Sequence, residues 1–357
     1  MKESPLRVLV IASEVPPVTS GLARSVGAII SGLAERGHEV HTLSSADAKG
    51  LKWDRLRISM LARHLSRILR ESGPFDVVNV HGPSPSVSDV AMVQLARRGN
   101  PPVVYTHHFS VHFAIPVVDQ AAALYDSLTR RLARRCAAVV TTTPSYATQF
   151  GRHRVSVIPW AVDSCEYHCD PTVARYDGSR PLRVLCVGQF RRYKGFDVAV
   201  RALAGVAEVK LSLVGRGPRL ENVIAQANGA SNVRYLGTLD DEALAAAYRE
   251  HDVILLPSTS RLEAFGLVLL EGMSSGCVPV ASRLLGITDV VGNVGLTTIP
   301  GDAADLRDQL VRLARDPDEV NERSKLALQA ARQYRWDSTL DAYEALFRRV
   351  VSEDTPA

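Results

Sequence analysis

The chain has 357 residues, of which 46% are apolar and 22% charged, a composition typical of a globular protein large enough for two α/β domains. The formal net charge of +4 suits a phosphorylated ligand but is too small to indicate nucleic-acid binding. Five scattered cysteines fit a reducing compartment better than a disulfide framework, and no apolar run is long enough to span a membrane. We therefore expect a cytoplasmic protein that is not integral to a membrane.

The first half of the chain alternates strand and helix patterns. Buried strands are predicted at 7–12, 39–43, 76–80, 102–106, 138–142 and 155–158. Helices are predicted at 22–36, 57–71, 86–98, 117–135 and 145–150. This alternation indicates a parallel sheet covered on both faces, and such sheets bind ligands beyond the carboxyl ends of their strands.

Candidate ligand contacts stand near the ends of these strands. Gly21 precedes the first helix, where backbone could approach a phosphate or a sugar, although a tight turn that requires glycine explains it equally well. His81 and His108 end or follow strands, and a histidine there can donate to a sugar hydroxyl or shield developing charge. A structural histidine is the alternative at both positions.

Two arginine clusters repeat at spacings of three and four residues, so each lies on one face of a predicted helix. They consist of Arg63, Arg67 and Arg70, and of Arg130, Arg131, Arg134 and Arg135. A solvated helix face is the ordinary explanation for such charges. The alternative is contact with a phosphorylated acceptor or peripheral contact with anionic lipid, which would place the protein at the inner face of the membrane.

A polar segment over 164–181 has little apolar periodicity and is the predicted linker. It separates a first domain, 1–170, from a second domain, 181–335. The remaining residues, 336–357, form a helix and tail that we expect to pack back on the first domain. The second domain repeats the alternation, with predicted strands at 183–187, 210–214, 233–236, 252–256 and 277–281.

The loop over 188–195 follows the first strand of the second domain. It carries the cations Arg191, Arg192 and Lys194, and Gly195 stands at the start of the next helix. An arginine fork can grip a diphosphate with two bonds and a lysine adds a point charge, so the loop indicates an anion site. A solvated run of charges is the alternative.

The stretch over 257–276 carries the clearest ligand-binding pattern. A buried strand ends at Pro257, and Gly266 precedes a helical period that ends at Gly276. Free N–H groups and the positive end of the helix dipole make the helix start a site for anions. Glu271 lies about one and a half turns into the helix, where it could accept hydrogen bonds from a ribose diol. The stretch therefore predicts a nucleoside diphosphate site.

These motifs, in this order and spacing, resemble those of the retaining glycosyltransferases of family 4 over nearly the whole chain. The matching residues are Gly21, Thr106 with His108, Gly188 to Gly195, Gly215 with Gly217, Leu236 with Gly237, and Glu263 with Glu271. The resemblance implies the GT-B fold, an α/β fold in which two Rossmann-like domains, each a doubly wound parallel sheet, face each other across a cleft. The acceptor would bind mainly to the first domain and the sugar nucleotide mainly to the second.

The resemblance also implies roles for individual residues. Lys194 would stabilise charge on the departing diphosphate, and Glu263 would bind hydroxyls of the transferred sugar. His108 would contact that sugar and position the acceptor, and Glu271 would hold the ribose. The other implied donor contacts are Gly21, Arg191, Arg192, Gly215, Leu236, Ala264, Phe265, Gly266 and Leu267.

The chain departs from the family pattern at two positions. Gln189 stands where the family commonly has arginine, and because a neutral amide cannot neutralise a diphosphate, we expect Arg192, or else Arg191, to supply the charge. Ser20 stands where a second glycine is frequent beside Gly21, which would restrict the backbone near the donor.

The resemblance predicts transfer of a hexose-type sugar from a nucleotide diphosphate sugar, a UDP-sugar in our expectation, with retained anomeric configuration. The acceptor would be a hydroxyl of a sugar, a lipid-linked molecule or a natural product. The departing phosphate oxygen would itself deprotonate the acceptor, and we expect neither a metal nor another cofactor. The alternatives are a sugar-nucleotide epimerase on the same fold and a non-catalytic sugar-nucleotide-binding subunit, which Gln189 leaves open.

Overall fold

The chain divides into two compact units, and each is described by itself. The computed structural model describes residues 4–354 except 19, 48–49, 54–55, 60, 97–99, 112–115, 152 and 164–174. The first unit comprises Met1–Trp160 and Trp336–Ala357, and the second comprises Ala161–Arg335. The boundary between the units lies before the predicted linker. Val162, two residues past the boundary, donates its N–H to the Tyr334 carbonyl of the second unit at 3.2 Å.

The strands of the first unit are β1 (Arg7–Ala12), β2 (Glu39–Ser44), β3 (Gly50–Trp53), β4 (Leu56–Ser59), β5 (Val77–Gly82), β6 (Val103–His107), β7 (Ala138–Thr141) and β8 (Val155–Val157). Its helices before residue 160 are α1 (Gly21–Glu35), α2 (Leu61–Glu71), α3 (Ser88–Leu95), α4 (Pro116–Ala133) and α5 (Pro144–Ala147). Six strands form a parallel sheet in the order β2–β1–β5–β6–β7–β8. The order reverses between β1 and β5, which is where such sheets bind ligands.

The predicted helix over 57–71 is wrong at its start. Residues Leu56–Ser59 form β4 and pair antiparallel with β3, and α2 begins only at Leu61. The sequence Leu-Arg-Ile-Ser alternates apolar and polar residues, which is the period of a strand and not of a helix.

The strands of the second unit are β9 (Leu182–Val187), β10 (Val209–Val214), β11 (Val233–Gly237), β12 (Val253–Leu256), β13 (Val278–Ser282) and β14 (Leu296–Thr298). Its helices are α6 (Phe196–Leu203), α7 (Leu220–Gln226), α8 (Asp241–Glu250), α9 (Leu267–Ser274), α10 (Ile287–Val291), α11 (Ala303–Ala314) and α12 (Pro317–Ala331). All six strands are parallel, in the order β11–β10–β9–β12–β13–β14. The order reverses between β9 and β12, so the loops after these two strands flank the switch point.

The core of the first unit lies on both faces of its sheet. Alternate residues of β1 enter different hydrophobic clusters: Leu9 and Ile11 join the cluster of α2 and α3, whereas Val8 and Val10 join the cluster of α1. This division follows from the two-residue period of a strand. It explains why β1 is apolar throughout, since a strand covered on both faces has no solvent side.

The last helix, α13 (Trp336–Asp354), belongs to the first unit and packs on α1. Tyr343 and Phe347 are fully buried in the same cluster as Val8 and Val10 of β1. None of the described helices is long and apolar enough to cross a membrane.

Candidate active site

The loops after β9 and β12 lie side by side in the second unit. The Thr259 N–H donates to the Tyr193 carbonyl at 2.7 Å. Gly195 has φ +69°, and a Cβ at this position would lie 1.9 Å from the Pro257 carbonyl oxygen. A side chain at residue 195 would therefore separate the two loops, and only glycine allows their close approach.

Lys194 and Glu263 form an ion pair between these loops. Lys194 Nζ donates to Glu263 Oε2, and Ser258 Oγ donates to the same oxygen at 3.3 Å. The two charged side chains are only 16% and 12% exposed. Burial alone would lower the pKa of Lys194, but the Glu263 carboxylate and the Tyr193 side chain raise it by more than burial lowers it. The pKa therefore lies above its usual value, and the ammonium is held charged.

The start of α9 follows directly in the same loop. Gly266 precedes the helix in the left-handed conformation, with φ +75°, and has no side chain to cap the first turn. A Cβ here would lie 2.7 Å from Leu256 Cδ2 of β12. Ala264 and Phe265 are buried beside it, and Leu267 is the first residue of the helix. The local structure is the helix N-terminus that the sequence predicted as an anion site.

Glu271 lies within α9 and is almost fully buried. Tyr248 of α8 donates its hydroxyl to Glu271 Oε2 at 2.7 Å. Sequence reasoning did not identify Tyr248, because an aromatic residue in a helical apolar period has the ordinary pattern of a core residue. The hydrogen bond fixes one carboxylate oxygen of the predicted ribose-binding residue.

The arginines of the loop over 188–195 differ in their surroundings. Arg191 is half-buried, and its Nε donates to Oε1 of Gln189 at 3.0 Å. Arg192 is exposed. Gln189, which stands where the family commonly has arginine, therefore accepts a hydrogen bond from the guanidinium of Arg191.

The end of β11 reaches the same edge of the sheet. Gly215 has φ +125°, and a Cβ there would lie 2.0 Å from the Gly188 carbonyl oxygen. The Gly215 N–H donates to the Gly237 carbonyl at 2.8 Å, and the Tyr235 hydroxyl donates to the Gly215 carbonyl at 2.8 Å. Leu236 lies between Tyr235 and Gly237, so this predicted contact neighbours the glycine loops.

The first unit holds the other predicted site residues. Gly21 is the exposed first residue of α1, and Ser20 caps that helix by accepting from the Ala23 N–H at 3.1 Å. The Ser20 hydroxyl donates in turn to Oε2 of Glu14 at 2.5 Å. Ser20, which stands where the family often has a second glycine, therefore caps α1.

His108 lies beside His81 in the first unit. His81 Nδ1 is 2.8 Å from His108 Nε2, and both side chains are buried. Burial lowers the pKa of His81 to about 3 and that of His108 well below its usual value, with His81 adding to the effect on His108. Both rings are therefore neutral near pH 7. The sequence marked these histidines separately but did not predict their contact.

The first arginine cluster borders a groove between α2, α3 and α4 with a volume of about 900 Å³. Arg63 and Arg70 line it together with the exposed side chains of Val93 and Leu128. Arg130 of the second cluster lies on α4, 3.9 Å from Asp126. The groove therefore combines apolar surface with cations.

Metal ligands do not cluster in the part of the chain that the structure describes, where no group of three or more histidine, cysteine or acidic side chains could hold an ion. The individual roles of the site residues toward donor and acceptor stay predictions.

Comparison with solved structures defines the class of the fold. Sucrose-phosphate synthase from Thermosynechococcus elongatus matches with a TM-score of 0.77 at 19% identity, over 97% of this chain and 99% of that one. Anabaena HepE, solved in complex with UDP-glucose, matches with a TM-score of 0.70 at 17% identity, over 98% of this chain and 100% of that one. The two parallel sheets with flanking helices are thus those of the GT-B fold, which confirms the predicted fold class.

Sequence comparison identifies the family. Residues 19–165 match a family described as Glycosyltransferase Family 4, and residues 181–316 match one described as Glycosyl transferases group 1. The phosphatidyl-myo-inositol mannosyltransferase of Mycobacterium leprae is 33% identical over 312 residues, which are 84% of this chain and 80% of the relative. The chain belongs to glycosyltransferase family 4, as the motifs predicted, and the protein is a glycosyltransferase.

Proposed function

We propose that the protein transfers a hexose-type sugar from a nucleoside diphosphate, UDP in our preferred assignment, to a hydroxyl group with retention of configuration and without a metal ion. The observation that carries the proposal is the ion pair between Lys194, in the loop after β9, and Glu263, in the loop that leads into α9. It supplies a fixed cation and a sugar-binding carboxylate within a few residues of an anion-binding helix start. A UDP-glucose complex of a protein with the same fold supports the choice of donor.

The ion pair leaves Lys194 able to hold a phosphate as well. An ammonium has three N–H donors, and the Glu263 carboxylate takes one of them. The remaining donors and the N–H groups at the start of α9 would stabilise the negative charge that develops on the departing diphosphate. Glu263 would bind sugar hydroxyls through its carboxylate.

Arg191 is our choice for the second diphosphate cation. Its Nε is engaged by Gln189, which orients the guanidinium so that the two terminal nitrogens can take a phosphate together. Arg191→Ala should therefore raise the donor KM about tenfold or more, since a charge-assisted bond contributes about 1.5–3 kcal/mol. Exposed Arg192 should respond less to the same change, and an equal or larger effect at Arg192 would reverse the assignment.

The reaction is tested with purified protein and a panel of UDP- and GDP-sugars in the presence of EDTA. We expect one donor to be converted when sugar or lipid acceptors are supplied, with the anomeric configuration of the product matching that of the donor by NMR. Inverted product would refute retention, and activity that requires added manganese would refute metal independence. Interconversion of sugar nucleotides without an acceptor would identify an epimerase, and donor binding without transfer to any acceptor would indicate a binding subunit.

We further propose that the acceptor is a lipid-linked molecule reached at an anionic membrane surface. The groove between α2, α3 and α4 supports this, because Val93 and Leu128 are 57% and 47% exposed beside Arg63 and Arg70. Exposed apolar side chains rimmed by cations suit the interface of an anionic bilayer. The name of the mycobacterial relative, a phosphatidyl-myo-inositol mannosyltransferase, is in line with a lipid acceptor.

Flotation with liposomes tests this contact. We expect the protein to bind vesicles that contain phosphatidylglycerol but not pure phosphatidylcholine, and the double variant Arg63→Glu with Arg70→Glu to lose binding. Arg249→Glu with Arg332→Glu is the matched control, since both arginines are exposed in the second unit and the change in net charge is equal. Equal loss in both variants would show a general charge effect and contradict a contact through the groove.

A further inference from the structure

Two buried histidines from neighbouring strands meet in the first unit. His81 belongs to β5, and His108 follows β6 directly, where its N–H donates to the Gly82 carbonyl at 2.8 Å. Nδ1 of His81 lies 2.8 Å from Nε2 of His108, and the two rings are nearly coplanar, with an angle of 11° between them. Each histidine is 1% exposed, and the Trp160 ring lies 5.1 Å from that of His108. Backbone pairing and burial thus hold the two rings in one geometry.

The contact requires a single proton between the facing nitrogens. Each neutral imidazole carries one N–H, so the position of one proton determines the other. If His81 donates from Nδ1, the proton of His108 must lie on its outer nitrogen, Nδ1. If His108 donates from Nε2, its Nδ1 is a bare acceptor. Within the described residues, neither Nδ1 of His108 nor Nε2 of His81 has a hydrogen-bond partner, although both atoms are buried.

We propose that His81 is a positioning residue that donates its Nδ1–H to His108 and thereby holds the His108 proton on Nδ1, ready to donate to a substrate oxygen. The inference rests on the proposed function and on the role that the family resemblance implies for His108, which is contact with the transferred sugar. A phosphate or sugar oxygen can always accept from an N–H, whereas a phosphate oxygen has no hydrogen to give to a bare nitrogen. Donation to substrate would also satisfy a buried N–H that is costly to leave unpaired.

The proton position is read directly from the ¹⁵N chemical shifts of the histidine rings in the full-length protein, with the His108 signals assigned from a His108→Asn variant. In the wild type we expect Nδ1 of His108 to be protonated and Nε2 to be bare. In His81→Phe, which keeps a ring but has no nitrogen, we expect the proton to move wholly or partly to Nε2. A bare Nδ1 in the wild type, or an unchanged pattern in His81→Phe, would overturn the proposal. The measurement needs no substrate, so its result is independent of whether sugar transfer is found.

Kinetics supply the second readout. His81→Phe should lower kcat about tenfold, because the hydrogen bond from the His108 N–H to substrate is weakened. The KM for the sugar nucleotide should change less than about twofold, because no residue of the proposed diphosphate site is altered. His81→Asn should restore most of kcat, since its amide N–H can donate from the position of Nδ1.

The control is His107→Phe. His107 is equally buried, and burial also lowers its pKa to about 3, but its Nδ1 lies 3.3 Å from the Tyr105 hydroxyl instead of facing His108. Equal losses of kcat in His81→Phe and His107→Phe, with no rescue by His81→Asn, would show a merely structural role for His81 and refute the inference.

Discussion

Replacing Lys194 with methionine tests the ion pair of the second unit most directly. Methionine keeps an unbranched, flexible side chain but removes the ammonium that donates to Glu263 Oε2. If Lys194 stabilises the charge of the departing diphosphate, its loss should lower kcat about 10²–10³-fold, which corresponds to about 3–4 kcal/mol of transition-state stabilisation. The donor KM should change much less, because the other contacts that we propose for the diphosphate remain.

The same substitution should also lower the free energy of unfolding. It leaves the Glu263 carboxylate, which is 12% exposed, with the Ser258 hydroxyl at 3.3 Å but without its cation. Breaking a fully buried pair costs about 3–5 kcal/mol, and since both partners here retain some solvent contact we expect a loss of about 1–2 kcal/mol.

Two assays separate these effects: initial rates of nucleotide release at saturating donor, and urea unfolding followed by circular dichroism. Lys210→Met is the matched control, because Lys210 is an exposed lysine near the amino end of β10, at the opposite edge of the same sheet. A Lys194→Met variant that loses stability as expected but keeps kcat within about threefold of the wild type would show that the pair is only structural.

The raised pKa of Lys194 adds a condition on pH. The folded pKa lies above the usual value of 10.5, so the stabilisation by this ammonium is complete below 10.5 and is lost only as the pH rises through the folded pKa. Lys194 should therefore stay charged between pH 7 and 9. Any decrease of kcat that the wild type shows over this range should also be present in Lys194→Met.

Three further predictions follow from individual contacts. Tyr248→Phe removes the hydroxyl that donates to Glu271, so the Kd for UDP should rise about five- to tenfold by calorimetry, while an unchanged Kd would argue against a ribose-binding role. Gly195→Ala forces a Cβ against the Pro257 carbonyl at φ +69° and should lower the free energy of unfolding by about 2 kcal/mol or more, measured with urea. The pKa of His81 is lowered to about 3, so its contribution to stability is complete above about pH 6.5 and is lost as the pH falls toward 3; His81→Phe should flatten the acid side of the stability profile.

Local patterns predicted much of the fold because burial on both faces gives continuous apolar strands and helices have their own period. The prediction was wrong at Leu56–Ser59, where four residues are too few to separate a strand from the first turn of a helix. The three-residue edge strand β14 was not predicted, since so short a run carries little pattern.

The candidate site was predicted unevenly for a related reason. Gly195 and Gly266 were found because each stands between a strand and a helix, and both have the left-handed φ that explains the choice of glycine. Tyr248 was missed, because a tyrosine that bonds a buried carboxylate has the same spacing as one that only fills the core. The sequence favoured Arg192 over Arg191, and the hydrogen bond from Arg191 to Gln189 is the reason why we propose Arg191 instead.

The amino-acid sequence by itself determined the order of strands and helices, the glycines at the helix starts and, through its motifs, the family. Only the tertiary structure decided which side chains meet: Lys194 with Glu263, 69 residues away, and His81 with His108, 27 residues away. The physical reason is that periodicity depends on neighbouring residues, whereas these contacts depend on which strands lie adjacent in the sheet. Strand order brought β9 beside β12 in one sheet and β5 beside β6 in the other, and each contact lies at the carboxyl ends of its own pair of strands.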